Sequence, residues 1–126
     1  MLTREHRFHG LHSLNPVYRH GQTVRGPFMA LKFAWRTGNK PYRAAVVVSR
    51  KVHKSAVVRN RIRRRIYEQI RQQQATIPNG LDMIFIVYSQ QQAEIDAPAL
   101  QKNILNLLQK AVSRQSDNTK HRSDVL

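Results

Sequence analysis

Short apolar runs alternate with amphipathic stretches along the chain, and the pattern predicts a small set of elements. Ser13 is placed to cap a short helix over 14–20, with Pro16 in its first turn and Gly21 as its stop. Residues 28–35 read as a strand. Phe28, Ala30 and Lys32 share one face, and Met29, Leu31 and Phe33 the other. A Gly38-Asn39-Lys40-Pro41 turn leads into Ala44-Ala45-Val46-Val47-Val48. That run is apolar on both faces, which predicts a central strand covered on both sides. The two strands and their turn read as an antiparallel hairpin. A short extra strand fits over 22–25.

A long helix follows over 56–74. Its Val58, Ile62, Ile66 and Ile70 repeat every fourth residue and make a buried stripe. After Asn79-Gly80, residues 82–88 read as a third good strand, and 90–93 as a polar loop. Asp96 caps a last helix with Pro98 in its first turn. Leu100, Ile104, Leu107, Leu108 and Ala111 share its apolar face, opposite Lys102, Asn106, Gln109 and Lys110. Residues 1–12 show no period. The pattern predicts one domain over 1–114 and a disordered tail over 115–126. The order helix, strand, strand, helix, strand, helix predicts an α/β fold: a two-layer α+β sandwich of a small mixed sheet with helices on it.

Composition narrows what such a domain does. At 126 residues one domain is the natural count. Hydrophobic residues make up 40%, too many for a disordered basic tail. The absence of cysteine excludes disulfides, thiolate zinc sites and a cysteine nucleophile. Residues 1–8 are charged and lack the apolar core of a signal peptide. The longest apolar run, 83–88, is far too short to span a bilayer. The expectation is a soluble cytoplasmic protein with no membrane partner.

Charge changes the picture most. Lys and Arg number 22 against 7 Asp and Glu, for a net +15. Arg outnumbers Lys 15 to 7, and a guanidinium clamps phosphate through paired hydrogen bonds and stacks on bases. The partner is therefore a nucleic acid. The cations are also uneven. Eight of the 22 lie between Arg50 and Arg65, and none between Arg71 and Lys102.

On a helical projection Asn60, Arg63 and Tyr67 fall on one flank of the apolar stripe. Arg61, Arg65 and Lys54 fall on the other, with Arg64 between them, facing away from the core. Arg59 borders the stripe. Four mutually repelling arginines within 61–65 destabilise an isolated helix, and an anionic partner relieves that repulsion. A DNA recognition helix is disfavoured, because a strand rather than a short helix and tight turn precedes this one. A membrane-surface helix is disfavoured because the apolar stripe is needed for the core.

The stretch Ser49-Arg50-Lys51-Val52, followed by Ala56-Val57-Val58-Arg59-Asn60-Arg61-Ile62-Arg63-Arg64, resembles the protein subunit of bacterial ribonuclease P. That family carries an apolar strand, a basic loop, then Arg-Asn-Arg-x-Lys/Arg-Arg on a helix. Val17-Tyr18-Arg19-His20-Gly21 resembles its short first helix and glycine stop, and the element order matches from about Phe8 to Ala111. The resemblance implies a fold like the second domain of ribosomal protein S5, with a left-handed crossover through the basic helix. It implies that a catalytic RNA subunit cuts precursor tRNA using Mg2+ bound through the RNA and substrate, with no catalytic residue and no metal ligand on the protein. One protein per RNA is expected. The protein would stabilise the complex and bind the 5′ leader in a cleft between the sheet and the basic helix.

Carried over by position, Arg59, Asn60, Arg61, Arg63 and Arg64 match the signature, Tyr18 an aromatic lining the cleft, and Met29 and Leu31 its floor. Leu14 and Leu31 stand where the family often has aromatic residues, which implies weaker stacking on leader bases. Together with the projection, this places Asn60, Arg63 and Tyr67 toward the leader. The RNA subunit then falls to Arg50, Lys51, Lys54, Arg59, Arg61, Arg64 and Arg65.

Other candidate chemistry is weaker. His6, His9 and His12 have a spacing of three, but Gly10 argues against a helix, and no acidic ligand is close enough to favour a metal. Glu94 and Asp96 read as a solvated acid and a helix cap rather than an acid–base pair. Ser49 and Ser55 lack a supporting His and Asp. Glu68 is expected to pair with Arg64 or Arg71. Trp35 reads equally as packing or as a stacking platform. The alternative function is a structural RNA-binding protein, ribosomal or assembly-related, with no processing role.

Overall fold

The structure, a computed structural model, describes residues 2–90 and 95–125, with the backbone alone for Leu11 and 115–125. A 3-10 turn at Arg4–His6 precedes α1 (Leu11–His20), β1 (Gln22–Arg25), β2 (Met29–Trp35) and β3 (Arg43–Val48). Then come α2 (Ala56–Gln72), a 3-10 turn at Gln74–Thr76, β4 (Leu81–Val87) and α3 (Ala97–Val125). The fold is the expected mixed α/β sandwich, and the short strand over 22–25 is present.

The sheet runs in the order β1-β2-β4-β3. The expected hairpin of β2 with β3 does not form. β4 inserts between them, antiparallel to β2 and parallel to β3. The hairpin is β1 with β2. Nor is β3 the central strand: it lies at the sheet edge, and β4 takes the centre, buried along its length except at Ile86. Both corrections have one cause. A run apolar on both faces states that both faces are shielded in part, and it carries no information about which strands lie beside it. In β3, Ala44, Val46 and Val48 are buried while Ala45 and Val47 are only half so.

Register gives the sheet two unlike faces. On the inner face Met29, Leu31 and Phe33 of β2 meet Val87, Phe85 and Met83 of β4, and beyond them Val48, Val46 and Ala44 of β3. α2 and α3 close this face. Ile62, Ile66 and Ile70 of α2 are fully buried in it, as are Leu100, Ile104 and Leu107 of α3. Each such side chain contributes about 1.5–3 kcal/mol through burial. On the outer face lie Ala30, Lys32, Ile84, Ile86, Ala45 and Val47. α1 packs there over β2 and β4 with Val17 buried, leaving Ala45, Val47 and Ile86 half-exposed.

The helix ends refine the sequence reading. α1 starts at Leu11, earlier than expected, so Ser13 lies in its first turn, where its hydroxyl donates to the Gly10 carbonyl at 2.7 Å. Pro16 falls inside the helix rather than in the first turn. Gly21 stops α1 by donating its N–H to Val17 O at 2.9 Å. A Cβ on Gly21 would fall 2.2 Å from Val17 O and 2.9 Å from Phe33 O, both backbone atoms. Close approach of helix to strand therefore requires glycine here. Gly21→Ala is expected to cost about 1–3 kcal/mol, read as a lowered midpoint in urea unfolding.

Asp96 caps α3 as expected, its Oδ1 accepting from Ala99 N at 2.9 Å. The α3 backbone is helical to Val125. No Gly or Pro follows Pro98 to stop it. Among the side chains described, its last buried residue is Ala111. Glu94 lies outside the described residues, as does most of the polar loop expected over 90–93.

One buried acid ties the sheet together. Asp82, 3% exposed, accepts from Arg43 Nε at 2.9 Å and Nη2 at 2.6 Å, and Arg36 Nε lies 3.0 Å away. The Arg43 guanidinium also sits 4.7 Å over the Phe8 ring. His6 is part of the packing, stacked on Tyr42 at 3.9 Å with Nδ1 2.9 Å from Tyr42 O, while His9 and His12 are exposed.

Candidate nucleic-acid interface

The interface grows out of the loop between β3 and α2. Val52 N donates to Ser49 O at 3.1 Å, and Val52 packs against the core. This turn pins the loop while Arg50, Lys51 and Lys54 stay exposed. His53 Nδ1 lies 3.0 Å from Ser55 N, and Ser55 Oγ caps α2 by accepting from Val58 N. The helix then starts with no acid in its first turn. Its N-terminal dipole adds to the loop cations, so this end favours an anion.

Along α2 the cations divide by what they touch. Arg61 and Arg64 are exposed and point away from the core. Arg63 is half-buried and donates to Asn60 Oδ1, which unites two residues expected on one flank. Arg65 reaches across the other flank and donates to Ile95 O, fastening α2 to the start of α3. Arg59 is half-buried beside the stripe, its Nε without an acceptor among the described residues. Glu68 pairs with Arg71 at 2.5 Å, and that guanidinium holds its carboxyl down at about 2. The only acid on α2 is thus matched near its C-terminal end, and residues 50–67 carry eight cations and no acid.

Comparison with known proteins decides what this array belongs to. The Ribonuclease P family model matches residues 2–112. The chain belongs to the ribonuclease P protein family. It is 36% identical over 110 residues to the ribonuclease P protein component of Roseiflexus castenholzii, covering 87% of this chain and 88% of that one. The component from Brevibacillus brevis is 30% identical over 108 residues, covering 86% and 84%. The solved ribonuclease P protein of Staphylococcus aureus shares the fold, with a TM-score of 0.73 at 23% identity, over 84% of this chain and 94% of that one. These relatives favour a ribonuclease P protein over a structural RNA-binding protein with no processing role.

The expected leader cleft between sheet and basic helix is absent from this ribonuclease P protein, because that space is the hydrophobic core. Met29 is 1% exposed and Leu31 0%, both sealed beneath the helices, so neither is the floor of an open cleft. Tyr67 is likewise turned inward. Its hydroxyl accepts from Val46 N at 3.1 Å, which satisfies a backbone donor of β3. Tyr18 is 42% exposed, but it stands on α1, on the opposite face of the sheet from α2. Its ring centroid lies 5.6 Å from Lys32 Nζ.

An open apolar surface lies instead on the outer sheet face beside Tyr18, where Ala45, Val47 and Ile86 are half-exposed near Lys32. Sequence reasoning missed these residues. Their signal lay in the strand alternation: in each strand they occupy the positions opposite the core set. Trp35 packs against the core edge, which favours the packing role.

Proposed function

We propose that this protein assists a catalytic RNA subunit in removing the 5′ leader from precursor tRNA. One observation carries this: α2 buries one face completely and turns a dense, acid-free array of cations outward. Arg50, Lys51, Lys54, Arg59, Arg61 and Arg64 hold the phosphates of the RNA subunit, and Arg65 braces the helix that presents them through Ile95 O. Phosphodiester hydrolysis leaves a 5′-phosphate on the tRNA. Its Mg2+ ions belong to the RNA and substrate, since guanidinium and ammonium groups supply no ligand oxygen to a hard cation. One protein serves each RNA.

The leader lies along the outer sheet face. Its bases stack on Tyr18 and pass over Ala45 and Val47, with Lys32 beneath the ring and Asn60 and Arg63 beyond the β3 edge. Stacking of one base on an aromatic ring is worth ~1–3 kcal/mol. The test is cleavage of a leader-bearing precursor by the cognate RNA at low Mg2+, with and without the protein. Wild type is expected to restore cleavage. Tyr18→Ala is expected to bind the leader-bearing precursor about 5- to 100-fold more weakly, with binding of mature tRNA unchanged. Equal weakening for both tRNAs would place the leader elsewhere, and no rescue by wild type would sink the processing role.

A further inference from the structure

A second basic surface lies at the sheet edge farthest from β3. A groove of about 750 Å³ runs between β1, the β1–β2 turn and the middle of α3. That volume lies in the range of ligand clefts, about 300–1,000 Å³. Arg25, Lys110 and Arg114 line it, and no acidic residue does among the described residues. Asn103, Asn106 and Gln109 of α3 also line it, and their amides make no hydrogen bond among the described residues.

Two of the cations are fixed in place. Lys110 Nζ donates to Arg25 O at 3.0 Å, and Arg114 Nη1 to Thr23 O at 3.3 Å. Thr23 and Arg25 alternate along β1, so both carbonyls point out of the free edge of the sheet. Lys110 and Arg114 lie one turn apart on α3 and cover them. Edge protection alone accounts for one hydrogen bond from each side chain. An ammonium has three donors and a guanidinium five, so most of their donors remain for another acceptor. The groove thus offers positioned donors and free amides, with no acid among its described lining residues to repel an anion.

We infer that the β1–α3 groove is a second contact for the RNA subunit and holds a phosphodiester of its backbone. The inference builds on the proposed RNA-binding role of α2. The groove lies three strand spacings, about 14 Å, across the sheet from β3. α2 and α3 cover the same sheet face, so a large RNA reaches both surfaces from one side. A leader on the outer face stays clear of it.

The experiment measures binding to the RNA subunit and, separately, to precursor tRNA alone, across 50–200 mM salt. The proteins are wild type, the triple variant Arg25→Gln, Lys110→Gln and Arg114→Gln, the single variant Asn106→Arg, and an α2 variant with Arg61→Gln and Arg64→Gln. The groove triple is expected to bind the RNA subunit at least ~10-fold more weakly, with the salt slope reduced by about 2–3. Asn106→Arg is expected to tighten binding and steepen the slope by about 1. Tether cleavage adds a readout independent of affinity. The chain has no cysteine, so Asn106→Cys carrying an iron chelate provides a unique probe, expected to cut the RNA subunit at one cluster of nucleotides.

Unchanged affinity in the triple and Asn106→Arg variants, alongside weakened binding by the α2 variant, would overturn the groove and leave the role of α2 standing. Unchanged binding in every variant would overturn both. Weakening confined to precursor tRNA would assign the groove to substrate, against the inference. If the triple variant fails to fold, Asn106→Arg and the tethered probe still decide.

Discussion

Changing Lys51, Lys54, Arg61 and Arg64 together to glutamine is expected to weaken binding to the RNA subunit by ~10² or more at 50 mM salt, while slightly raising the melting temperature. The two signs together separate this result from simple unfolding. All four side chains are exposed and none makes a hydrogen bond among the described residues, so no packing is lost. Each phosphate contact contributes about 0.7–0.9 to the salt slope. Four lost contacts therefore flatten the slope by about 3, and the gap between wild type and variant is widest at low salt. Arg61 with Arg64 and with Arg65 are like-charged pairs at helical spacings of three and four. Relieving such pairs is worth about 0.2–0.5 kcal/mol each. Filter binding across a salt series, paired with thermal unfolding monitored by circular dichroism, checks both signs. Weaker binding with a lower melting point would mean that the helix, and not its charge, had been damaged.

Asp82→Ala is expected to destabilise the protein by about 2–4 kcal/mol. Asp82 is the buried partner of both Arg36 and Arg43. Removing one partner of a buried pair costs roughly 3–5 kcal/mol. The figure is lower here because Arg36 and Arg43 keep 23% and 19% of their side-chain surface in water. Asp82→Asn is expected to cost nearly as much, since an amide cannot accept the two parallel hydrogen bonds of Arg43 as a carboxylate does. Against a typical domain stability of about 5–15 kcal/mol, either change leaves a thin margin. Urea unfolding measures it directly. A loss below ~1 kcal/mol would show that Arg36 and Arg43 find water as good a partner as Asp82.

The two helices on the inner face were legible because their signals are local. Val58, Ile62, Ile66 and Ile70 set the buried side of α2, and Leu100 to Ala111 that of α3. The same fourfold spacing put Arg61 and Arg64 on the exposed side. Strand neighbours were not legible, because the segment that separates β2 from β3 lies more than thirty residues further along the chain. Nothing within 28–48 announces the arrival of 81–87. The misplaced cleft has another source: it came with the family resemblance, which implied an opening between the sheet and the basic helix, where Met29 and Leu31 are buried. Separately, reading β3 as covered on both faces hid its half-open side at Ala45 and Val47. Tyr67 was misread for a different reason. A helical projection places its ring on a flank but says nothing of Val46, whose N–H claims its hydroxyl. Asp82 escaped notice because a lone acid at the start of an apolar run looks like a strand boundary.

The insertion of β4 between β2 and β3 has a consequence for how the protein comes into being. As the chain emerges from the ribosome, β1 and β2 pair early, but β3 has only a single bridge to Arg7 and no neighbouring strand until residue 81 and beyond are made. Until then the isoleucines of α2 have no complete surface to pack on, and the stretch from Arg50 to Arg65 is an unanchored polycation. Pairings this distant in sequence form slowly, since loop closure must come before they give any return. The docking of β4 therefore comes late, and the sheet surface on which the basic helix packs is complete only once nearly the whole chain has been synthesised.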